Sequence, residues 1–342
     1  MLLSKDKVFS VGTFATPLLD WHSRHGRMLP WMTKDPYDVW LSEVMLQQTQ
    51  VSTVLERYAS FQKRFPTIRS LAAANVEDVL AQWSGLGYYS RARNLHSCSK
   101  ALVAWLDAHG DWPKEAADWV AFAGIGQSTA NAIVSACFNK VAPILDANAK
   151  RVLVRFAGDL DANTKQAWAY AKEAMDVDSS KAAAYTQAIM DLGATVCRAR
   201  KADCVRCPLM PHCKSAGWEL KKTAAAEKSA VKPSKPVVLF DWAFCTRKTG
   251  TQAEVLLQQR DESSFWPALW VLPAMDQRFV LVDGATAVVL KHELSHRSLR
   301  IEAKPSTLKE KISRNERWVL LADIADRKIP VPSPIAGLVK EA

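Results

Sequence analysis

Long apolar runs are missing from this chain of 342 residues, and with them any helix able to span a membrane. The opening stretch MLLSKDKVFSVGTF has no basic head followed by an apolar core and a small-residue cleavage site, so no export signal is expected. Internal repeats and low-complexity tracts are also absent, which leaves out solenoid and fibrous arrays. Acidic residues are the scarcer charge, 35 against 45 Lys and Arg. The resulting net charge of +10, with pI near 9.2, points to a polyanionic partner, most simply nucleic acid, although solubility alone is the plainer explanation. Apolar residues at 49% and charged residues at 23% describe an ordinary globular protein, long enough for two domains. In the cytoplasmic, reducing compartment expected for such a chain, seven cysteines argue for metal binding or catalysis before disulfides.

Residues 1–213 read as mainly helical, with 3.6-residue periods over 68–83, 93–108, 114–121, 127–138, 147–157 and 164–176. From 214 to 236 the stretch KSAGWELKKTAAAEKSAVKPSKP has no apolar period, many lysines and two prolines, the signature of a basic linker. Beyond it, strand patterns cover 237–245, 253–260, 285–294 and 317–324, and PSPIAGLVKEA suits a short closing helix. The expected fold class is therefore a mainly α N-terminal domain (1–213), a linker (214–236) and a smaller α+β C-terminal domain (237–342).

Four stretches carry chemistry. Cys197, Cys204, Cys207 and Cys213 fall within seventeen residues as C-x6-C-x2-C-x5-C. One x2 pair flanked by longer spacers in a single loop suits a [4Fe–4S] cluster better than zinc, whose structural sites usually pair two C-x2-C knuckles. Cys98, Cys137 and Cys245 lie in apolar contexts and are expected to be inert. In KEAADWVAFAGIGQSTANAIVSACF (114–138), Gly124 and Gly126 flank one aliphatic residue between two helical patterns. Such a turn exposes backbone N–H groups at a helix N-terminus and can hold an anion, though any helical turn can use Gly-x-Gly. In VWLSEVMLQQTQV (39–51) a lone acid, Glu43, interrupts an apolar helical run; it is either a rim glutamate in water or a residue with a task. In PILDANAKRVLVRF (143–156), Asp146 precedes a helical pattern as a good N-cap.

Together these stretches resemble the helix-hairpin-helix DNA glycosylases related to endonuclease III, and within them the MutY family, which acts on adenine opposite 8-oxoguanine. The hairpin keeps Gly124, Gly126, Thr129 and Ala130 of the family's L-P-G-V-G-x-x-T-A and departs at Phe122 and Ala123. SEVMLQQTQ and GLGYYSRARNL match family hallmarks; the family's L-D-G-N-V appears as Leu145-Asp146-Ala147-Asn148-Ala149. The resemblance implies that the cysteine loop binds a [4Fe–4S] cluster and that Gly124 and Gly126 contact phosphate. It makes Glu43 the proton donor to the departing adenine and Asp146 the stabiliser of the sugar cation. Ser128 stands where strand-nicking relatives carry a lysine nucleophile, which implies a monofunctional glycosylase. Gln47, Gln48 and Tyr88 are implied to plug the gap left by the flipped base, Arg91 and Arg93 to meet the backbone, and Trp31 and Gln187 to line the adenine pocket. Met32 occupies a position where some relatives have arginine.

In the C-terminal part, PALWVLP (267–273) resembles a run in the family's Nudix-like domain, without the glutamate-rich metal helix of a working Nudix hydrolase. Leu294-Ser295-His296 resembles the F-S-H loop that reads 8-oxoguanine, which nominates Ser295 and His296. The implied partner is double-stranded DNA carrying 8-oxoG:A or G:A mispairs, with no membrane, bound by a monomer in the nucleoid-associated cytoplasm. Three alternatives fit less of the chain. A pyrimidine-mismatch glycosylase conflicts with the Q-Q-T-Q stretch, Ser128 and the second domain. A non-catalytic DNA-binding protein conflicts with intact Glu43 and Asp146, and a nucleotide-pool hydrolase with the missing metal helix.

Overall fold

A computed structural model describes residues 8–217, 235–261, 265–294 and 297–341. Most of the expected linker, together with Ser295 and His296, lies outside them. Eleven α-helices fill the described residues up to 217: α1 (Thr16–His25), α2 (Pro36–Leu46), α3 (Val51–Arg64), α4 (Ile68–Ala73), α5 (Val76–Gln82), α6 (Ser90–His109), α7 (Ala116–Val120), α8 (Gln127–Phe138), α9 (Ala147–Ala157), α10 (Thr164–Ala174) and α11 (Ala182–Thr195). Eight strands follow, β1 (Val237–Phe244), β2 (Thr246–Thr249), β3 (Gln252–Gln259), β4 (Trp270–Val271), β5 (Phe279–Leu281), β6 (Val288–Glu293), β7 (Ser298–Leu308) and β8 (Glu316–Leu320), then α12 (Leu321–Ala325) and α13 (Ser333–Glu341).

Local chemistry explains most boundaries. Asp35 caps α2 by accepting from the Tyr37 amide at 2.8 Å, with Pro36 at the first helical position, where its missing N–H costs nothing. Asn163 and Gln166 close a reciprocal capping box on α10. Asn139 and Gly158 end α8 and α9 in the left-handed conformation. The single helix expected over 68–83 is two, because Asn75 turns its side chain onto the Glu77 amide at 2.9 Å and starts α5 afresh. The strand expected over 317–324 stops at Leu320 and continues as α12.

The chain divides into two compact units, Met1–Gln47 with Ala101–Val231 and Gln48–Lys100 with Lys232–Ala342. The sequence boundaries at 213 and 237 mark a change of composition, whereas this division places residues 48–100 with the C-terminal part. In the first unit Phe9 stacks on Phe156 and both meet Phe14 edge-to-face, with ring centroids 4.9–5.1 Å apart, centring a core that includes Tyr185 and Leu192. There α11 packs against α1, α8 and α9, and α2 against α8.

Among the described residues the second unit holds two four-stranded sheets, one ordered β1-β7-β5 with β6 also on β7, the other β2-β3-β4 with β8 also on β3. Only β1 and β7 run parallel among these pairs. Val255, Leu256 and Leu257 on β3 are all fully buried because apolar clusters cover both faces of the strand. Strand β7, absent from the sequence expectation, buries Leu299, Ile301 and Ala303 in alternation; charged residues between them and Pro305 within it mask that signal. The helices of this unit meet its sheets through polar bonds: Gln259 Nε2 donates to Glu77 Oε1 at 2.8 Å, and Arg93 Nη1 to the Pro267 carbonyl at 3.2 Å.

Candidate active site

Helix α2 is buried on nearly every side, with Trp40, Leu41, Val44 and Met45 each at most 4% exposed. Glu43 is half-buried among them, as are Asp38 and Leu46 towards the two ends of the helix. No described residue hydrogen-bonds or ion-pairs with the Glu43 carboxylate. Loss of water pushes its carboxyl up to about 8, and the negative charge of Asp146 pushes in the same direction. Thus the two predicted carboxylates, a hundred residues apart in sequence, are close enough to interact.

Asp146 reaches that place as the N-cap of α9. Its Oδ1 accepts from the Ala149 amide at 2.7 Å and its Oδ2 from Asn148 Nδ2 at 3.1 Å. Ser128, in the first turn of α8, accepts at Oγ from the Leu145 amide at 3.0 Å. The serine therefore pins the residue immediately before Asp146. Gly193 on α11 lets this corner close, since a Cβ there would lie 2.7 Å from the Asn148 Cβ and 3.0 Å from its carbonyl carbon. Capping α9 leaves the Asp146 carboxylate close enough to influence Glu43, so the cap is compatible with a role in a site.

Trp31 is buried, and Gln187 is half-buried on α11. Gln187 Nε2 donates to Asp191 Oδ1 at 2.8 Å. Asp191, 1% exposed, also accepts from the Arg27 amide at 2.9 Å and from Arg27 Nε and Nη2 at 2.9 and 2.7 Å. His22 Nε2 stands 3.5 Å away. Burial by itself would push the Asp191 carboxyl up; the His22 ring and the Arg27 hydrogen bonds overcome that and hold it below the usual carboxylate range. Sequence reasoning missed Asp191, Arg27 and His22. The signal existed, because Asp191 interrupts AIMDLGA as Glu43 interrupts its own apolar run.

In the hairpin Gly124 takes φ of 80° and Gly126 caps α8, both exposed, while Ile125 between them is buried and anchors the turn. Trp119 and Phe122 pack the other side, with the Trp119 ring N–H donating to the Pro113 carbonyl at 2.8 Å. The first-turn amides of α8 thereby face solvent from a fixed base, a geometry suited to phosphate.

Tyr88 and Gln48 are exposed in the second unit with left-handed φ of 46° and 55°. For side chains other than glycine that conformation is uncommon and concentrates at functional sites. Arg91, expected at the DNA backbone, is instead buried: its guanidinium donates to Thr49 Oγ1, the Leu86 carbonyl and the Gly87 carbonyl at 2.9, 2.8 and 3.2 Å. It holds the turn in place from within. Arg93 is half-buried on Pro267, and Gln47 ends α2 in the first unit.

The cysteine loop follows α11. Its backbone bonds step in threes, from the Cys207 amide to the Cys204 carbonyl, Met210 to Cys207, and Cys213 to Met210. A three-residue repeat turns successive members to one side, and Cys197, Cys204, Cys207 and Cys213 line a single pocket with Arg155 and Met210. Arg155 Nη1 donates to Cys197 Sγ at 3.4 Å, while Arg151 Nε donates to the Cys197 carbonyl at 2.7 Å. Among the described residues no group of three or more His, Cys, Asp or Glu side chains is arranged to hold a metal ion. A tetrahedral zinc, with Zn–S of about 2.3 Å, draws its sulfurs to within about 3.8 Å of one another. A cubane carries its own iron and sulfide and accepts thiolates set wider apart. The four thiols share one pocket, the donor set that a thiolate-bound centre of either kind requires.

Residues 41–174 match the family model described as the HhH-GPD superfamily of base excision DNA repair proteins. The adenine DNA glycosylase of Buchnera aphidicola subsp. Baizongia pistaciae is 40% identical over 205 residues, 59% of this chain and 58% of that protein. That of Buchnera aphidicola subsp. Schizaphis graminum is 29% identical over 301 residues, 85% of this chain and 83% of that protein. The first of these alignments thus spans little more than half of its relative. Among solved structures, a thermostable thymine-DNA glycosylase superposes with a TM-score of 0.54 at 23% identity, over 59% of this chain and 94% of that one. That likeness concerns the fold alone.

Proposed function

Since this chain belongs to the HhH-GPD superfamily of base excision DNA repair proteins, we propose that it is a monofunctional adenine DNA glycosylase acting on adenine opposite 8-oxoguanine or guanine in double-stranded DNA. The observation that carries the reading is Glu43, a carboxyl pushed up to about 8 beside the charge of Asp146. Near neutral pH it holds a proton that an ordinary glutamate has lost. The flipped adenine accepts that proton at N7, which turns a poor leaving group into a neutral one. As the C1′–N9 bond breaks, positive charge grows on the sugar and the Asp146 carboxylate stabilises it, the division of labour used by glycosidases. Glu43, now ionised, accepts a proton from the attacking water. Ser128 offers no amine, so no Schiff base forms and the strand stays intact.

Around this chemistry, Trp31 and Gln187 bound the adenine, Gln47, Gln48 and Tyr88 fill the gap, and Arg93 with the Gly124–Gly126 turn meets the backbone. Cys197, Cys204, Cys207 and Cys213 hold a [4Fe–4S] cluster that, when bound, fixes the fold of its loop. The C-terminal part is a Nudix-like domain that reads 8-oxoguanine through Ser295 and His296. The protein works as a monomer in the cytoplasm; no described helix is long and apolar enough to cross a membrane. Incubation with 8-oxoG:A, G:A, G:T and 8-oxoG:C duplexes, followed by alkali, tests the reading. Cleavage of the first two only after alkali is expected, whereas equal cleavage of G:T or none of 8-oxoG:A would refute it.

A further inference from the structure

The turn from Gly85 to Tyr89 is strained and doubly braced. Gly85 and Gly87 take φ of 96° and 69°, and Tyr88 follows at 46° with its ring exposed. From within, Arg91 and the Trp83 ring N–H, the latter at 3.0 Å, both donate to the Gly87 carbonyl. From the other side come two hydroxyls that the proposed chemistry does not use. Tyr89 Oη donates to the Val331 carbonyl at 3.0 Å and Ser84 Oγ donates to the same oxygen at 3.3 Å. Tyr89, Ser84 and Val331 are all buried.

Val331 lies between Pro330 and Pro332 in the segment joining α12 to α13, so its carbonyl has little freedom to move. The Trp270 amide of β4 donates to the Pro330 carbonyl at 2.9 Å and ties the segment to the sheet. Gln82 Nε2 donates to the Arg327 carbonyl at 3.3 Å a few residues earlier. Two buried hydroxyls converging on one proline-braced oxygen are more than a turn of this length needs to stay folded. They link the C-terminal sheet directly to the residue beside Tyr88.

We infer that the Val331 carbonyl is the anchor through which the C-terminal part sets the position of Tyr88, with Tyr89 and Ser84 as positioning residues for its insertion into the lesion. Strain at Tyr88 persists only where its surroundings over-determine it. Releasing the anchor lets the turn relax and withdraws the ring from the base step, with the C-terminal sheet still folded. The inference rests on the reading that Tyr88 enters the duplex.

A double-mutant cycle on the full chain tests it, with a duplex carrying 8-oxoG opposite a non-hydrolysable adenosine analogue and 2-aminopurine beside the lesion. Tyr89→Phe keeps the buried ring and removes only the hydroxyl. It is expected to weaken binding about fivefold, the worth of one hydrogen bond, and to lower the 2-aminopurine response, with affinity for undamaged duplex unchanged. In a Tyr88→Ala background the same change is expected to cost less than about twofold, because coupled residues are not additive. Equal losses in both backgrounds, or none in either, would overturn the inference. Should Tyr89→Phe fail to fold, Ser84→Ala removes the other hydroxyl and is read against the same two outcomes. Lesion binding insensitive to Tyr88→Ala overturns the wedge and this inference together. Tight, Tyr88-dependent binding without excision of adenine from the natural mispair overturns the proposed reaction alone.

Discussion

Helices α2 and α11 each set an acid among buried apolar residues, Glu43 and Asp191, and these two acids end in opposite states. Asp191 is met by Arg27, Gln187 and His22 and is held below the usual carboxylate range. Glu43 meets no donor among the described residues, faces the charge of Asp146, and is pushed up to about 8. Burial acts on both in the same direction, so the donors decide between them. A lone acid in an apolar pattern signals a task; whether that task is to hold a proton or to anchor neighbours depends on what the fold brings near it.

Glu43→Gln tests the proton-holding side and carries the largest expected effect. Single-turnover excision of adenine should fall by about 10²–10⁴-fold, the usual worth of general acid catalysis, while binding of the lesion duplex is retained. Wild-type excision should also decline as pH rises through about 8, and Asp146→Asn should move that limb to lower pH. An unchanged limb would place the titrating group elsewhere.

Asp191→Asn tests the anchoring side. Asn keeps the shape but loses the charge-assisted hydrogen bonds to the half-buried Arg27, which costs about 1.5–3 kcal/mol, readable in denaturant unfolding. The pH dependence of stability should separate the two acids by sign. Native Glu43 binds its proton more tightly than the unfolded chain does, so its contribution is complete below about 4.5 and is lost as pH rises through about 8. Native Asp191 binds its proton less tightly, so its contribution is complete above the ordinary carboxylate range and is lost as pH falls below it. Glu43→Gln should therefore flatten the stability profile between about 4.5 and 8, and Asp191→Asn should flatten it at and below the ordinary carboxylate range.

Ser128→Ala is the smallest of these tests. It leaves the Leu145 amide without its acceptor and should cost about 1 kcal/mol of stability. Excision should slow a few-fold through Asp146, with the alkaline limb of Glu43 unmoved.

Elements governed by neighbours in sequence were the legible ones. Helices α8 and α9 occupy the spans their periods predict, Asp146 caps as its residue type suggests, and the four cysteines converge as their spacing requires. Elements governed by distant partners were not. Strand β7 takes its place from β1, β5 and β6, and its own pattern is diluted by charge and Pro305. Arg91 reads as a surface cation beside Arg93, yet three oxygens of the 49–87 region draw it inward. Arg151 and Arg155 look like the polar face of α9 until the cysteine loop folds over them.

The sequence by itself determined the caps, the periods, the cysteine spacing and which residue types stand ready for acid chemistry, because each depends on residues within a turn or two of one another. Only the tertiary structure decided that Glu43 keeps its proton and Asp191 gives its proton up. A carboxyl's affinity for a proton is set by the water it loses and the charges it meets, and here the charges come from Asp146 for Glu43 and from Arg27 and His22 for Asp191, each a hundred residues or more away in the chain.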